Sequence, residues 1–398
     1  MSEPPAPSLL VGVARTDITP PVGLDLSGFA ARTGPALGAR DPLTLSALVA
    51  TQDATTVAML GFDLIGLSPA WIARARLAVH GATGVPGAHQ MYVCSHTHCG
   101  PATGVLPSMG RADPPYLERL IEHAASAVRS AQGVLTATEL WLAEGASYAG
   151  ANRRSAAVNP DGPRDGAVDE IDPTVAVAQF RAPGRHVIAT LVNYGCHPTS
   201  SRECVWSADY PGHVRAAVEA DTGAPCLYLN GAGGDVNLRF PDPRQRGFAT
   251  ARVLGHGLGR TALNALRRGH ASNSGRVRAT TAPATLRYAG SSADGVAVEV
   301  QALRIGDLAI VALPVEVFAA DGRSLRSIAR APHCMLAGWS NGLWGYVPTR
   351  RAAASGGYEV VDAHRWYGHP VAWDPASGDR LRVAALAAID RAFGPAAT

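Results

Sequence analysis

Lysine is missing from this 398-residue chain: all 35 of its basic residues are arginine. With abundant alanine, glycine and proline, that bias reads as GC-rich coding rather than low complexity. Charge of either sign is scarce, at 17% of residues, and the formal net charge is only +3. No basic block stands out, which argues against nucleic acid or an anionic membrane surface as a partner. No stretch reaches the roughly 18 uninterrupted apolar residues of a membrane span, so no stable membrane insertion is expected. The opening Met-Ser-Glu-Pro-Pro-Ala-Pro-Ser has neither the basic start nor the long apolar run of an export signal, and a cytoplasmic location is expected. The six cysteines (Cys94, Cys99, Cys196, Cys204, Cys226 and Cys334) show no Cys-X-X-Cys spacing, as expected of buried thiols in a reducing compartment. Neither an internal repeat nor a long linker is visible.

What is present is a large apolar complement, 47% of residues, ample for a sizeable core. Residues 1–10 read as a disordered Pro-rich tail. Beyond them, strand-like runs at 11–17, 43–50 and 57–65 precede a helical pattern at 68–80. The clearest helix spans 114–132, where Tyr116, Leu117, Leu120, Ile121, Ala124 and Val128 follow i, i+3, i+4 spacing. Residues 151–173 have loop composition and the length of an active-site cover. Strands at 174–180, 186–194 and 226–230, helices at 211–221 and 248–268, and a hairpin at 296–305 and 308–313 follow. A helix runs from Glu316 through Arg330, residues 333–375 are rich in aromatics and glycine, and a helix at 380–394 closes the chain. Interspersed strands and helices predict an α/β fold, with layered mixed β-sheets flanked by helices, in one domain over 11–398.

The stretch that organises the chain is 91–101, Met-Tyr-Val-Cys-Ser-His-Thr-His-Cys-Gly-Pro. Strand alternation puts His96 and His98 on one face, where two imidazoles suit a zinc centre; two unrelated surface histidines are the plain alternative. Other polar groups recur where apolar runs end: Asp63, His197 before Pro198, Asp235 after the glycine-rich 231–234, and Glu316 after Leu313-Pro314-Val315. The glycine-rich segment is no P-loop, since no Gly-Lys-Ser/Thr follows. Singly, His197 before proline reads more simply as a loop histidine, and Glu316 can be read as a helix-start carboxylate. Two histidines, a carboxylate and an open position make a hydrolytic zinc site.

These motifs resemble those of the neutral ceramidases, zinc-dependent amidases that cut the amide bond of ceramide. Residues 11–19 (Val-Gly-Val-Ala-Arg-Thr-Asp-Ile-Thr) are similar to that family's opening, and Ser27-Gly28-Phe29 to its Met-Gly-Tyr. Residues 95–101 resemble its His-Thr-His-Ser-Gly-Pro segment, with Cys99 for serine. Asn152-Arg153 resembles Asn-Arg-Ser, and 193–200 a strand ending in His-Pro-Thr/Val-Ser. Ser207-Ala208-Asp209 resembles Ser-Gly-Asp, and 313–326 resembles Leu-Pro-Gly-Glu…Gly-Arg-Arg-Leu-Arg. Residues 345–349 resemble Tyr-Val/Ile-Thr-Thr, and Tyr358-Glu359 and Tyr367-Gly368 keep the family's spacing. By position, the resemblance implies zinc ligands at His96, His197, Glu316 and Tyr346. It places His98 beside the reacting water or oxyanion and Arg153 on the substrate's polar end or the developing charge. Tyr346 is also expected to take part in catalysis by leaving the metal or donating a hydrogen bond. Asp209 is either an orienting partner of the site or a helix N-cap.

One departure bears on mechanism. The family's Gly-Asp-Val-Ser-Pro-Asn appears at 234–239 as Gly-Asp-Val-Asn-Leu-Arg, so Asn237 replaces a serine. An amide cannot be acylated in that role, which favours zinc-bound water, with Asn237 as a hydrogen-bond donor. Cys99 is either a substitute nucleophile or, more simply, a small buried residue. The family's export signal and C-terminal immunoglobulin-like domain are not expected in this chain. A soluble small-molecule N-acyl or other amide is therefore expected as substrate rather than bilayer ceramide, and a homo-oligomer is compatible with the sequence. The expected activity is zinc-dependent amide hydrolysis. Acyl transfer or amide formation at the same metal is the enzymatic alternative, and a catalytically silent metal-binding homologue is the third reading.

Overall fold

The structure is a computed structural model that describes residues 9–155, 171–240, 246–292 and 295–394. Most of its strands fall into three larger sheets. In the first, the order is Gln90–Cys94, Thr55–Phe62, Thr44–Gln52, Leu10–Asp17 and Thr136–Ala137. The second runs Cys226–Asn230, Val187–Tyr194, Thr174–Arg181, Glu139–Ala146 and His270–Ala271, and the third Val277–Arg287, Gly295–Ile305, Leu308–Ala312 and His333–Ala337. Each is antiparallel except at one edge, where Gln90–Cys94, Cys226–Asn230 or His333–Ala337 runs parallel to its neighbour. A parallel pair needs a crossover, and a helix supplies each one: Pro69–Thr83, Asp209–Thr222 and Ala319–Ile328. The fold thus repeats a strand–helix–strand unit three times, although the sequence shows no repeat.

This arrangement positions the site. A parallel pair brings two carboxyl ends together, and ligands in α/β sheets bind outside such ends. The apolar faces of the three sheets meet in a shared core that includes Met59, Val93, Leu191, Leu229, Ile310 and Met335. Helices cover the outer faces, Pro69–Thr83 and Pro114–Gln132 on the first sheet, Asp209–Thr222 and Phe248–Leu266 on the second, and Ala376–Phe393 on the third. Two short pairs complete the frame: Val236–Leu238 with Gly150–Asn152, and Glu316–Val317 with Tyr346–Val347.

Local chemistry accounts for the helix ends. Asp113 accepts a 2.7 Å bond from the Tyr116 amide ahead of Pro114–Gln132, and Ser68 caps Pro69–Thr83 through the Trp71 amide at 3.2 Å. Gly84, in the left-handed region at φ +74°, ends the latter. Several expectations need correction. Leu9 and Leu10, assigned to the tail, belong to the fold: Leu9 is buried and Leu10 starts the first strand. The strands Glu139–Ala146 and Val277–Arg287 were not expected. Pro283 interrupts the strand signal of the second, and it is tolerated because that strand is an edge. Glu316 does not start a helix but lies in a two-residue strand, and the helix begins at Ala319. Of the expected cover, 156–170 lies outside the described residues, as do 1–8 of the tail. No helix among the described residues is long and apolar enough to cross a membrane.

Asp63 is structural. Its carboxylate accepts both terminal nitrogens of Arg215 at 2.8 and 2.7 Å, and the amide and hydroxyl of Thr44 at 2.8 and 2.9 Å. This buried pair ties the end of the Thr55–Phe62 strand to the helix behind the second sheet. Asp63→Ala leaves the Arg215 charge buried and is expected to cost about 3–5 kcal/mol, read as a fall in the urea midpoint. A loss below about 1 kcal/mol, the range of exposed pairs, would show that the pair does not hold the sheets together.

Candidate metal centre

His96 and His98 do meet, but not by strand alternation. The strand ends at Cys94, and His96 turns into the left-handed region at φ +65°. That turn, with the His96 amide bonded to the Leu64 carbonyl at 3.0 Å, swings the two rings to 4.8 Å between centroids and nearly perpendicular. His197 enters from the end of Val187–Tyr194 in the second sheet, its ring 4.9 Å from His96 and 5.7 Å from His98. One ring nitrogen from each of the three lies within 4.8 Å of those of the other two. Glu316 and Tyr346 come from the third unit, set side by side by their two-residue parallel pair.

Hydrogen bonding fixes what these atoms offer. Each imidazole holds Nδ1 against a backbone carbonyl: His96 on Ile65 (2.6 Å), His98 on Gly28 (2.8 Å) and His197 on Gly233 (2.7 Å). A carbonyl only accepts, so each Nδ1 carries the proton and each Nε2 presents a lone pair. Burial lowers the pKa of His96 and His98 well below the ordinary value and that of His197 to about 3, so all three are neutral. Burial also raises that of Glu316. Glu316 Oε2 sits 3.0 Å from His197 Nε2 and 3.6 Å from His96 Nε2, yet it is buried without a hydrogen-bond partner. The Tyr346 hydroxyl lies 3.1 Å from His197 Nε2 and His98 Nε2 3.2 Å from His96 Nε2.

Such a gathering of acceptors fits a cation. An unpaired buried acceptor costs about 1–3 kcal/mol, and the Tyr346 proton cannot satisfy all of them. Bonds of about 2.0–2.2 Å at tetrahedral angles place neighbouring zinc ligands about 3.3 Å apart. The 3.0, 3.1 and 3.6 Å contacts among His96, His197, Glu316 and Tyr346 match that spacing. His98 is farther from His197 and alone of the three is partly exposed.

Around this set, Arg153 gives Nε to Glu359 at 2.6 Å and Nη2 to the Gly234 carbonyl at 2.5 Å. Its guanidinium lies 5.2 Å from the Tyr346 ring centroid. Arg154 grips the other oxygen of Glu359 at 2.9 Å. Asn237 pairs through its backbone with His197, and its side-chain oxygen is buried without a partner; no side-chain bond to the histidines is present among the described residues. Asp209 neither caps a helix nor touches a histidine. It accepts from the amide and hydroxyl of Ser200 at 2.9 and 2.5 Å, pinning the loop that follows His197. All six cysteines are free. Burial pushes the Cys99 thiol up to about 12, against its use as a nucleophile.

Sequence reasoning missed two contacts. Trp339, in the left-handed region at φ +51°, stacks on His96 at 4.6 Å and lies nearly perpendicular to the His197 ring at 5.4 Å. Tyr367 donates to Glu316 Oε1, which turns Oε2 toward the histidines. The aromatic-rich 333–375 was the only signal for either.

The sheets and the cluster together define an α/β protein with a candidate metal site at the carboxyl ends of its parallel strands. Among solved structures, the chain is similar to a neutral ceramidase from Pseudomonas aeruginosa, with TM-score 0.80 and 15% identity over 97% of this chain and 75% of that one. It is equally similar to a structure described as ceramidase complexed with C2, with TM-score 0.80 and 17% identity over 98% of this chain and 76% of the other. The fold is therefore that of the neutral ceramidase catalytic region. No family model and no curated protein matches the sequence.

Tyr367→Phe removes the bond that orients Glu316. Loss of such an orienting partner lowers metal affinity about 10–100-fold, measurable by competition with a chromogenic chelator. Unchanged affinity would mean that packing alone holds the carboxylate.

Proposed function

We propose that the protein is a zinc-dependent hydrolase that cleaves a linear amide, an N-acyl bond, in a small soluble substrate. The observation that carries this reading is the convergence of His96, His197, Glu316 and Tyr346 on one buried point, with His98 at its open side. Zinc, if held by those four residues, would supply the Lewis acidity that acidifies water and polarises a carbonyl. The other steps belong to the chain. His98, its Nδ1 proton tied to Gly28, presents Nε2 as the base that takes a proton from the attacking water and returns it to the leaving nitrogen. Arg153, braced by Glu359 and Gly234, directs positive charge at the Tyr346 hydroxyl and the oxyanion that develops beside it. Asn237 offers an amide where a serine would offer a nucleophile, so no acyl-enzyme forms there, and its side chain serves as a hydrogen-bonding group. The charged surround of His98, with Arg32 and Arg202 over Phe29, favours a soluble amide over a bilayer lipid.

The test combines metal analysis with turnover. Wild-type protein is expected to hold zinc in stoichiometric amount and to cleave at least one class among N-acyl amines, N-acyl amino acids and ceramides, read by mass spectrometry. His96→Ala should lose the metal. His98→Ala should keep it and lose rate by about 10²–10⁴-fold, the usual worth of a positioned base, while Cys99→Ser keeps both. Metal-free wild-type protein that His96→Ala leaves unaltered, or cleavage of an ester or lactone with every amide intact, would overturn the reading.

A further inference from the structure

We infer that the mouth of the site is an anion-binding rim and that the substrate carries a carboxylate beyond its scissile amide. This rests on the hydrolase reading, but it fails separately. The solvent-facing member of the cluster is His98, partly exposed, whose ring packs on Phe29 at 5.1 Å between centroids. Two guanidiniums lie over that phenyl ring, Arg32 at 5.1 Å and Arg202 at 5.6 Å. Arg32 is held in place by backbone carbonyls, Nη1 on Ser27 (3.1 Å) and His98 (2.9 Å) and Nη2 on Glu203 (3.3 Å), and its Nε is buried with no partner. Arg246 lies 5.4 Å from the Phe240 ring centroid. Partial desolvation, then the like charge of nearby Arg202, lowers its pKa.

Among the described residues, no carboxylate pairs with Arg32, Arg202 or Arg246. The neighbouring acid, Glu203, turns its carboxylate toward the Ser201 hydroxyl at 3.4 Å. Deeper in, Arg153 and Arg154 differ in having a carboxylate partner, since they share that of Glu359. Like charges gathered without counter-ions repel one another, and they attract an anion to the cleft they line. The planar arginine fork matches a carboxylate through two parallel hydrogen bonds. Because the Phe29 and His98 rings are in contact, an anion held at the arginines lies only a few bonds from an amide at the histidines. Two substrate types meet that requirement: N-acyl amino acids, with the anion on the amine side, and monoamides of dicarboxylic acids, with it on the acyl side.

The experiment compares matched pairs on the zinc-loaded protein: N-octanoylglycine with N-octanoylethanolamine, and N-butylsuccinamate with N-butylbutanamide. At low salt, the anionic member of at least one pair should show a kcat/KM at least about tenfold higher, the worth of one charge-assisted contact. The pair that responds identifies which side carries the anion. Arg202→Gln/Arg246→Gln, both at exposed positions, should erase the preference mainly through KM, and added salt should shrink it. Cleavage without preference in either pair overturns the inference and leaves the hydrolase reading standing. If no amide is cleaved, that reading falls, and calorimetry with the same four compounds decides the inference. Tighter binding of an anionic member to wild-type protein than to the double variant supports it, and equal binding overturns it.

Discussion

Each clustered imidazole gives its Nδ1 proton to a backbone carbonyl, and the rest of the site depends on those three hydrogen bonds. They fix the tautomer, aim every Nε2 inward and leave the interior rich in lone pairs and poor in protons. The carbonyls must themselves be held. Gly28 has φ +104°, and a Cβ there would stand 2.5 Å from His98 Nδ1. A Cβ on Gly233 would stand 2.4 Å from the Cys196 amide. Gly28 therefore lets backbone approach an imidazole, and Gly233 lets its loop close on the backbone just before His197, a different task from the phosphate cradling that glycine-rich loops often serve.

The three strand–helix–strand units explain why donors so distant in sequence converge. Each unit delivers carboxyl-terminal strand ends, and the shared core sets the three sheets against one another so that those ends gather. His96 follows the second strand of its unit, His197 and Glu316 the first strands of theirs, and Trp339 the second strand of the last. The site is thus a product of sheet packing.

Much of this was legible in the sequence, because long amphipathic helices and apolar strands obey local rules. The helix at 114–132 was read to the residue, and the hairpin at Gly306-Asp307 nearly so. Polar groups at strand ends singled out His96, His197 and Glu316, and the fold brings these three side chains together. Non-local features were not legible. The left-handed turn at His96 is imposed by its bond to Leu64, and Asp209 pins a loop through Ser200. Trp339 and Tyr367 lie in an aromatic-rich region whose composition does not distinguish packing from a role at the site. The threefold repetition is one of topology, which leaves no periodic trace in side chains.

Among the described residues the three larger sheets share apolar contacts but no continuous hydrogen-bonded ladder, and the donor cluster draws on strand ends from all three. An ion there would act as a rivet through the seam. The unfolded chain holds no such site, so the free energy of binding adds to the free energy of folding. If the site is filled by such an ion, a protein starved of it would lose part of the clamp between its layers and open more often to proteases. Its abundance in the cell would then track the supply of the ion, making turnover a second channel through which metal availability is felt.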